Sequence, residues 1–422
     1  MARRTYRPLR YHRDMVSSGS ATSRRNDWSS CFDVPTTRRY GELVGPVALG
    51  FLLAAGTIKS SSALQWLPFD LTASLGILLL LALAGHFLRA IRVRSPIQIG
   101  WALGAGAFWL YGMIMMSTPT EYGDAKAKGL LLLTLGCCFL GGLYLLRISR
   151  QRYAFAVGTI LAAIVVMILA RVAPSQDEGS IGRLALAGAA TIGPSRVFGA
   201  ALVVVLTLSI AGRFRLRYSL PLSTLLIISL VATGSRGPIV ALVLASLAIL
   251  PFLRSGRLRS WVVVGSMFFF GWTVLANANA TIRDRLLLLF ADDKGASVLV
   301  REEIWHRSLV SISDTPFGRG WGGLAPSLLT GTNYPHNIVL EVAGEVGLLM
   351  AGGALVVGVI ASTRLARQAS AGDCTALVFI ALLTYFLVNA MVSGDLNDNR
   401  GIFVVVGAAL SLPRRSATVR TE

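Results

Sequence analysis

REEIWHRSLVSISDTPFGRGWGGLAPSLLTGTNYPHNIVLEVAGEVGLLMAG, residues 301–352, is the longest stretch of this chain that does not read as a membrane span throughout. It opens as an amphipathic helix. Val298, Val300, Ile304, Trp305, Leu309 and Ile312 are mostly on one helical face, and Arg301, Glu302, Arg307 and Ser308 mark the other. A glycine-rich turn, Thr315-Pro316-Phe317-Gly318-Arg319-Gly320-Trp321-Gly322-Gly323, ends it. The step Pro335-His336-Asn337 then leads into a strongly apolar run. An interfacial helix lying over a bundle of bilayer-crossing helices accounts for this order.

The composition agrees. Of 422 residues, 54% are hydrophobic and only 14% are charged, against roughly 25% charged in soluble domains. Apolar runs suited to a bilayer recur at 43–58, 71–91, 97–116, 129–146, 153–173, 197–212, 218–233, 239–253, 261–280, 337–362, 375–392 and 401–412. The predicted class is an all-α polytopic membrane protein of about 12 transmembrane helices. An amphipathic helix on the outer face separates spans nine and ten. The formal charge of +19 does not argue for nucleic acid, because the arginines cluster in short loops. Arg89, Arg92 and Arg94 form one cluster, Arg147, Arg150 and Arg152 another, Arg213, Arg215 and Arg217 a third; Arg254, Arg364 and Arg414 open later ones. Such clusters fall in alternate loops, which places both termini in the cytoplasm.

The expected organisation is a basic, disordered cytosolic tail at 1–40, spans one to nine at 41–280, an extracytoplasmic loop at 281–335, spans ten to twelve at 336–412, and a cytosolic tail at 413–422. The first span is expected to act as an uncleaved signal anchor. Cys31, Cys137, Cys138 and Cys374 have no ligand-like spacing, so neither a disulfide framework nor a zinc site is expected.

With the topology set, some arginines stand on the side that the positive-inside bias disfavours. Arg183, Arg196, Arg236, Arg283, Arg285, Arg301, Arg307, Arg319 and Arg400 are predicted to be outside. Each could snorkel to headgroups or pair with Glu302, Glu303, Asp292 or Asp293. As a set they point to an anion site, because the planar guanidinium grips anionic oxygens bidentately. Arg236 is the sharpest case, in the tight turn Thr233-Gly234-Ser235-Arg236-Gly237-Pro238. The turn at 315–323 reads either as a phosphate cradle or as a plain hinge. His336 opens the tenth span and is able to accept a proton near neutral pH, or it merely caps the helix. Glu341 and Glu345 follow one turn apart, at a depth where carboxylates are costly unless paired or functional.

Four stretches, in order, resemble the O-antigen ligase and polymerase family of bacterial inner-membrane glycosyltransferases. They are Thr233-Gly234-Ser235-Arg236-Gly237; Arg301 with Ile304 and Trp305; Pro316-Phe317-Gly318-Arg319-Gly320; and His336-Asn337 with Leu340, Glu345, Gly347 and Leu348. The resemblance implies a GT-C-like fold and a transferase without metal or other cofactor. The donor it implies is a glycan on a polyprenyl diphosphate carrier. The acceptor is a hydroxyl of a glycan, lipid or protein on the outer face of the plasma membrane. By the same resemblance His336 activates or positions the acceptor, and Arg236 and Arg301 hold the diphosphate. Ser235, Arg319, Glu345 and Asn337, with the outer arginines Arg183 and Arg196, are expected to bind substrate. An exporter of lipid-linked glycan is the rival reading. It predicts charge along a path through the bundle, and often repeats; here charge gathers at the outer face.

Overall fold

The structure, a computed structural model, describes residues 41–64, 66, 70–92, 96–116, 125–174, 183–186, 191–253, 258–287, 296–329 and 332–412. Both expected tails, and Asp292 and Asp293, lie outside these residues. Among the described residues the chain is helical, with no β-strand beyond one isolated bridge between Pro174 and Leu186. In chain order the helices are α1 Gly41–Leu52, α2 Ala55–Lys59, α3 Leu71–Arg92, α4 Pro96–Ile114, α5 Ala125–Leu145, α6 Ser149–Val172, α7 Ile192–Ile210 and α8 Leu216–Ala232. They continue as α9 Arg236–Ile249, α10 Leu258–Ala276, α11 Ala280–Leu287, α12 Ala296–Asp314, α13 Ile338–Val346, α14 Leu348–Ser370, α15 Cys374–Ala390 and α16 Arg400–Ser411.

Each apolar run read from the sequence falls on described helix. The first is divided between α1 and α2, the tenth between α13 and α14. Among the described residues four helices, α5, α6, α7 and α14, are long and apolar enough to cross a membrane. On α14, Leu349, Leu355, Val356 and Val359 are exposed, as suits helices that meet lipid rather than water.

Small residues let the central helices approach closely. A Cβ added to Gly142 on α5 would lie 2.1 Å from the carbonyl oxygen of Val404 on α16, and one on Gly407 of α16 would lie 2.1 Å from that of Phe139 on α5. The two glycines therefore seat each helix against the backbone of the other. Gly142→Ala or Gly407→Ala is expected to destabilise the protein by about 1–3 kcal/mol or more through overpacking. The check is the unfolding midpoint in detergent, with Gly104→Ala, which meets nothing within 4 Å, as the unchanged control. At the arginine-rich end of the bundle Arg152 joins α6 to the start of α15, donating to Asp373 at 3.2 Å and Thr375 at 2.6 Å. Asp373 also caps α15, accepting from the amides of Thr375 and Ala376.

Two elements differ from expectation. On α12 the buried stripe runs through Ile304, Ser308, Ser311 and Ile312, while Val300 and Leu309 face outward. Serine joins this inner face because the Ser308 hydroxyl donates to its own helix at Ile304 O, 2.7 Å. The stripe's i, i+3/i+4 spacing places half-buried Arg301 at its start.

The second difference is the break at Gly347, which has φ 88°, a value that favours glycine. There the helical ladder is rerouted. Leu348 N–H donates to Pro316 O at 2.8 Å, and the Gly344 and Glu345 carbonyls accept from Arg319 N–H at 3.1 Å and Gly320 N–H at 2.8 Å. The turn at 315–323 thereby caps α13 from outside.

Candidate active site

His336 is the only described non-glycine residue with positive φ, at 56°. A side chain held there costs on the order of 1–3 kcal/mol and needs surrounding structure to enforce it. Three contacts do so. Asn337 caps α13, its side-chain oxygen accepting from Val339 N–H at 3.0 Å and Leu340 N–H at 3.2 Å. The indole N–H of Trp305 on α12 donates to Pro335 O at 2.9 Å. The Tyr334 ring meets the imidazole edge-on, with centroids 4.6 Å apart. His336 Nδ1 is buried and makes no hydrogen bond. Burial, then the guanidiniums of Arg301 and Arg196, hold its pKa below the usual histidine value, with Asp395 opposing weakly. The imidazole is thus neutral at neutral pH, the form that accepts a proton.

Trp305 also links His336 to Arg301, because both Trp305 and Arg301 ride on α12, one turn apart. Trp305→Phe, which removes the indole N–H together with part of the ring, is expected to lose about 1 kcal/mol of positioning or more, read as roughly a five-fold or larger fall in kcat with KM little changed.

Arg301 is near enough to Arg236 for the two charges to repel. Burial first, and then the Arg236 charge, lower the pKa of Arg301. Arg236 is the first residue of α9, entered through Gly234 at φ 63° and Ser235. Arg183 braces that turn. Its Nε donates to Thr233 O and its Nη2 to Thr191 Oγ1, both at 2.8 Å. A Cβ on Gly234 would sit 3.1 Å from Arg183 Nε. Arg183 is itself pulled down to about 10 by burial and by Arg285. Ser235 is buried, its hydroxyl 3.5 Å from that of Thr191. Arg183 and Ser235 therefore shape the turn that presents Arg236.

Arg196, on α7, holds the loop between α15 and α16. Its Nη2 donates to the carbonyls of Asn389, at 3.2 Å, and Ser393. The same loop carries Asp395, which accepts from Asp398 N–H at 2.9 Å. Burial and the Asp395 charge raise the pKa of Asp398, against Arg196 and Arg400. These carboxylates and Tyr334 are neighbours of Arg196 that sequence reasoning left out of the site. The three-residue spacing of two aspartates in the outer loop was the available signal.

Arg236, Arg301, Arg196 and His336 are thus brought into one neighbourhood. Arg319, Asn337 and Glu345 serve the scaffold instead. Arg319 Nε donates to Thr315 at 2.9 Å within its own turn. The amides of Arg319, Gly320 and Trp321 are committed to the carbonyls of Gly344, Glu345 and Gly112. The glycine-rich turn is therefore a helix cap and hinge, with those amides unavailable to a phosphate. The Asn337 side-chain oxygen is committed to its cap. Glu345 points inward with Glu341, and both carboxylates accept from Lys128 of α5, at 2.5 and 2.8 Å. Among the described residues no group of three His, Cys, Asp or Glu side chains is arranged to hold a metal ion.

Residues 221–357 match the family model described as O-antigen ligase. The matched segment runs from within α8 into α14 and includes Arg236, Arg301 and His336; Arg183, Arg196 and Asp395 lie outside it. No curated protein matches the chain.

Proposed function

We propose, from the match of residues 221–357 to the O-antigen ligase family model, that the chain moves a glycan from a polyprenyl diphosphate carrier to an acceptor hydroxyl. The observation that supports this reading is the mutual influence of the Arg236 and Arg301 charges close to a half-buried His336 whose Nδ1 is buried without a partner. In the proposed step the acceptor oxygen attacks the anomeric carbon and the carbon–oxygen bond to the diphosphate breaks. His336 takes the acceptor proton, and Arg236 and Arg301 receive the negative charge on the departing diphosphate. Arg196 and the 391–399 loop border the acceptor side. The reaction as proposed needs no metal, since two guanidiniums supply the charge that a divalent ion would otherwise bring.

The proposed setting is a bacterial plasma membrane, with twelve spans of GT-C-like arrangement, both termini cytoplasmic and the site on the outer face. Support for it comes from the alternation of basic loops along the sequence. The acceptor is read as a lipid, protein or glycan of the cell envelope. Polymerisation of repeat units by the same residues is the alternative within the family.

The test uses the purified full-length protein in liposomes with a polyprenyl diphosphate oligosaccharide. Release of the free carrier diphosphate, with the glycan appearing on the acceptor, is the expected result. One added unit identifies a ligase and a product ladder a polymerase. Passage of intact donor across the bilayer without chemistry would identify an exporter and overturn the proposal.

A further inference from the structure

Lys128, Glu341 and Glu345 form a cluster that the transfer step does not use. All three side chains are buried, with relative exposures of 1%, 0% and 0%. Lys128 comes from α5; the two glutamates are one turn apart on α13. The surroundings are apolar, with Leu132, Trp321, Val342 and Leu396 in the neighbouring buried cluster. Among the described residues Asp395, of the same sign and from the loop between α15 and α16, also acts on the pair, and the Tyr334 phenol interacts with Glu341. The Gly322 amide also faces Glu345.

Counting charges leaves a deficit. One ammonium opposes two carboxylates, so the fully ionised cluster would bury a net negative charge next to a third carboxylate. Lys128 reaches Oε1 of each glutamate, while Glu341 Oε2 and Glu345 Oε2 are both buried without a hydrogen-bond partner. An unneutralised buried charge is strongly disfavoured, and each orphaned acceptor adds to the cost. A single proton on the pair removes the net charge and turns one orphaned carboxylate oxygen into a neutral hydroxyl.

We infer that Glu341 and Glu345 bind one proton between them, so that Lys128–Glu341–Glu345 is a neutral proton-binding site beneath the start of α13. This stands apart from the transferase reading, and its test needs no turnover. Infrared spectra of the full-length protein in lipid nanodiscs at neutral pH are expected to show the carbonyl stretch of a protonated carboxyl. An Asp398→Asn background removes a second acid whose carboxyl is also held toward protonation, by burial and the neighbouring Asp395. Glu341→Gln and Glu345→Gln are each expected to abolish the band, since the remaining carboxylate pairs with Lys128. Both should melt near wild type, because glutamine has the shape of the protonated acid. Lys128→Met leaves two carboxylates without their cation and is expected to lose folded protein. The triple variant Lys128→Met/Glu341→Gln/Glu345→Gln, neutral again, is expected to regain it. The inference is overturned if the wild-type band is absent and the melting temperature instead rises with sodium or potassium, which would make the bound cation a metal. A band that persists in both single glutamine variants overturns it as well.

Discussion

The His336→Ala protein is expected to turn over lipid-linked donor about 10²–10⁴-fold more slowly than wild type, the range that general-base catalysis covers. Its fold should be retained, because the α13 cap is made by Asn337 and not by the imidazole. The pH profile makes the prediction specific to a proton acceptor. Only the neutral imidazole accepts a proton, so kcat/KM falls as pH drops through the His336 pKa. Burial and the charges of Arg301 and Arg196 lower that pKa, so the acid limb should lie below the ordinary histidine range, near 6.5. Arg301→Gln removes one of those charges and should move the limb to higher pH, although overall rate is lost. Asp395→Asn removes an opposing negative charge and should move it to lower pH. A limb that ignores both substitutions would take His336 out of the role of base.

The second large effect is expected at the arginine pair. Arg236→Ala or Arg301→Ala should each lower kcat by about 10²–10³-fold, as when one preorganised donor to a developing anion is removed. Lysine should rescue either position only in part, since a point charge cannot reproduce the two-pronged grip of a guanidinium on phosphate oxygens. The double alanine variant should fall short of the product of the single losses, because the two groups act on the same diphosphate. Inorganic pyrophosphate provides a readout without turnover. It is expected to raise the melting temperature of wild type by relieving the repulsion between Arg236 and Arg301, and to leave either single variant unmoved. If pyrophosphate stabilises the double variant as well, the anion is bound elsewhere.

Much of this was legible in the residues. Apolar runs marked the helices because a bilayer demands them. On the expected topology, positive-inside bias made Arg236 and Arg301 conspicuous. His336 and Trp305 came from the same short stretch that the structure folds into one corner. What the sequence could not disclose was tertiary. Glu345 was assigned to substrate because nothing local shows that Lys128, 217 residues earlier, arrives as its partner. Arg319 and the glycines around it had the look of a phosphate cradle until their amides found the carbonyls at the end of α13. Arg183 was an anion ligand by sign alone; its hydrogen bonds show it bracing the turn beneath Arg236.

The break at Gly347 has a mechanical side. α14, with much of its surface apolar and exposed, is long enough to span a bilayer with some tilt. α13 is sutured at its far end to the turn at 315–323 and capped at its near end by Asn337, and the ladder between the two helices is rerouted. A change of tilt in α14 is therefore expected to be taken up around Gly347, leaving His336 registered to α12 through the Trp305–Pro335 bond.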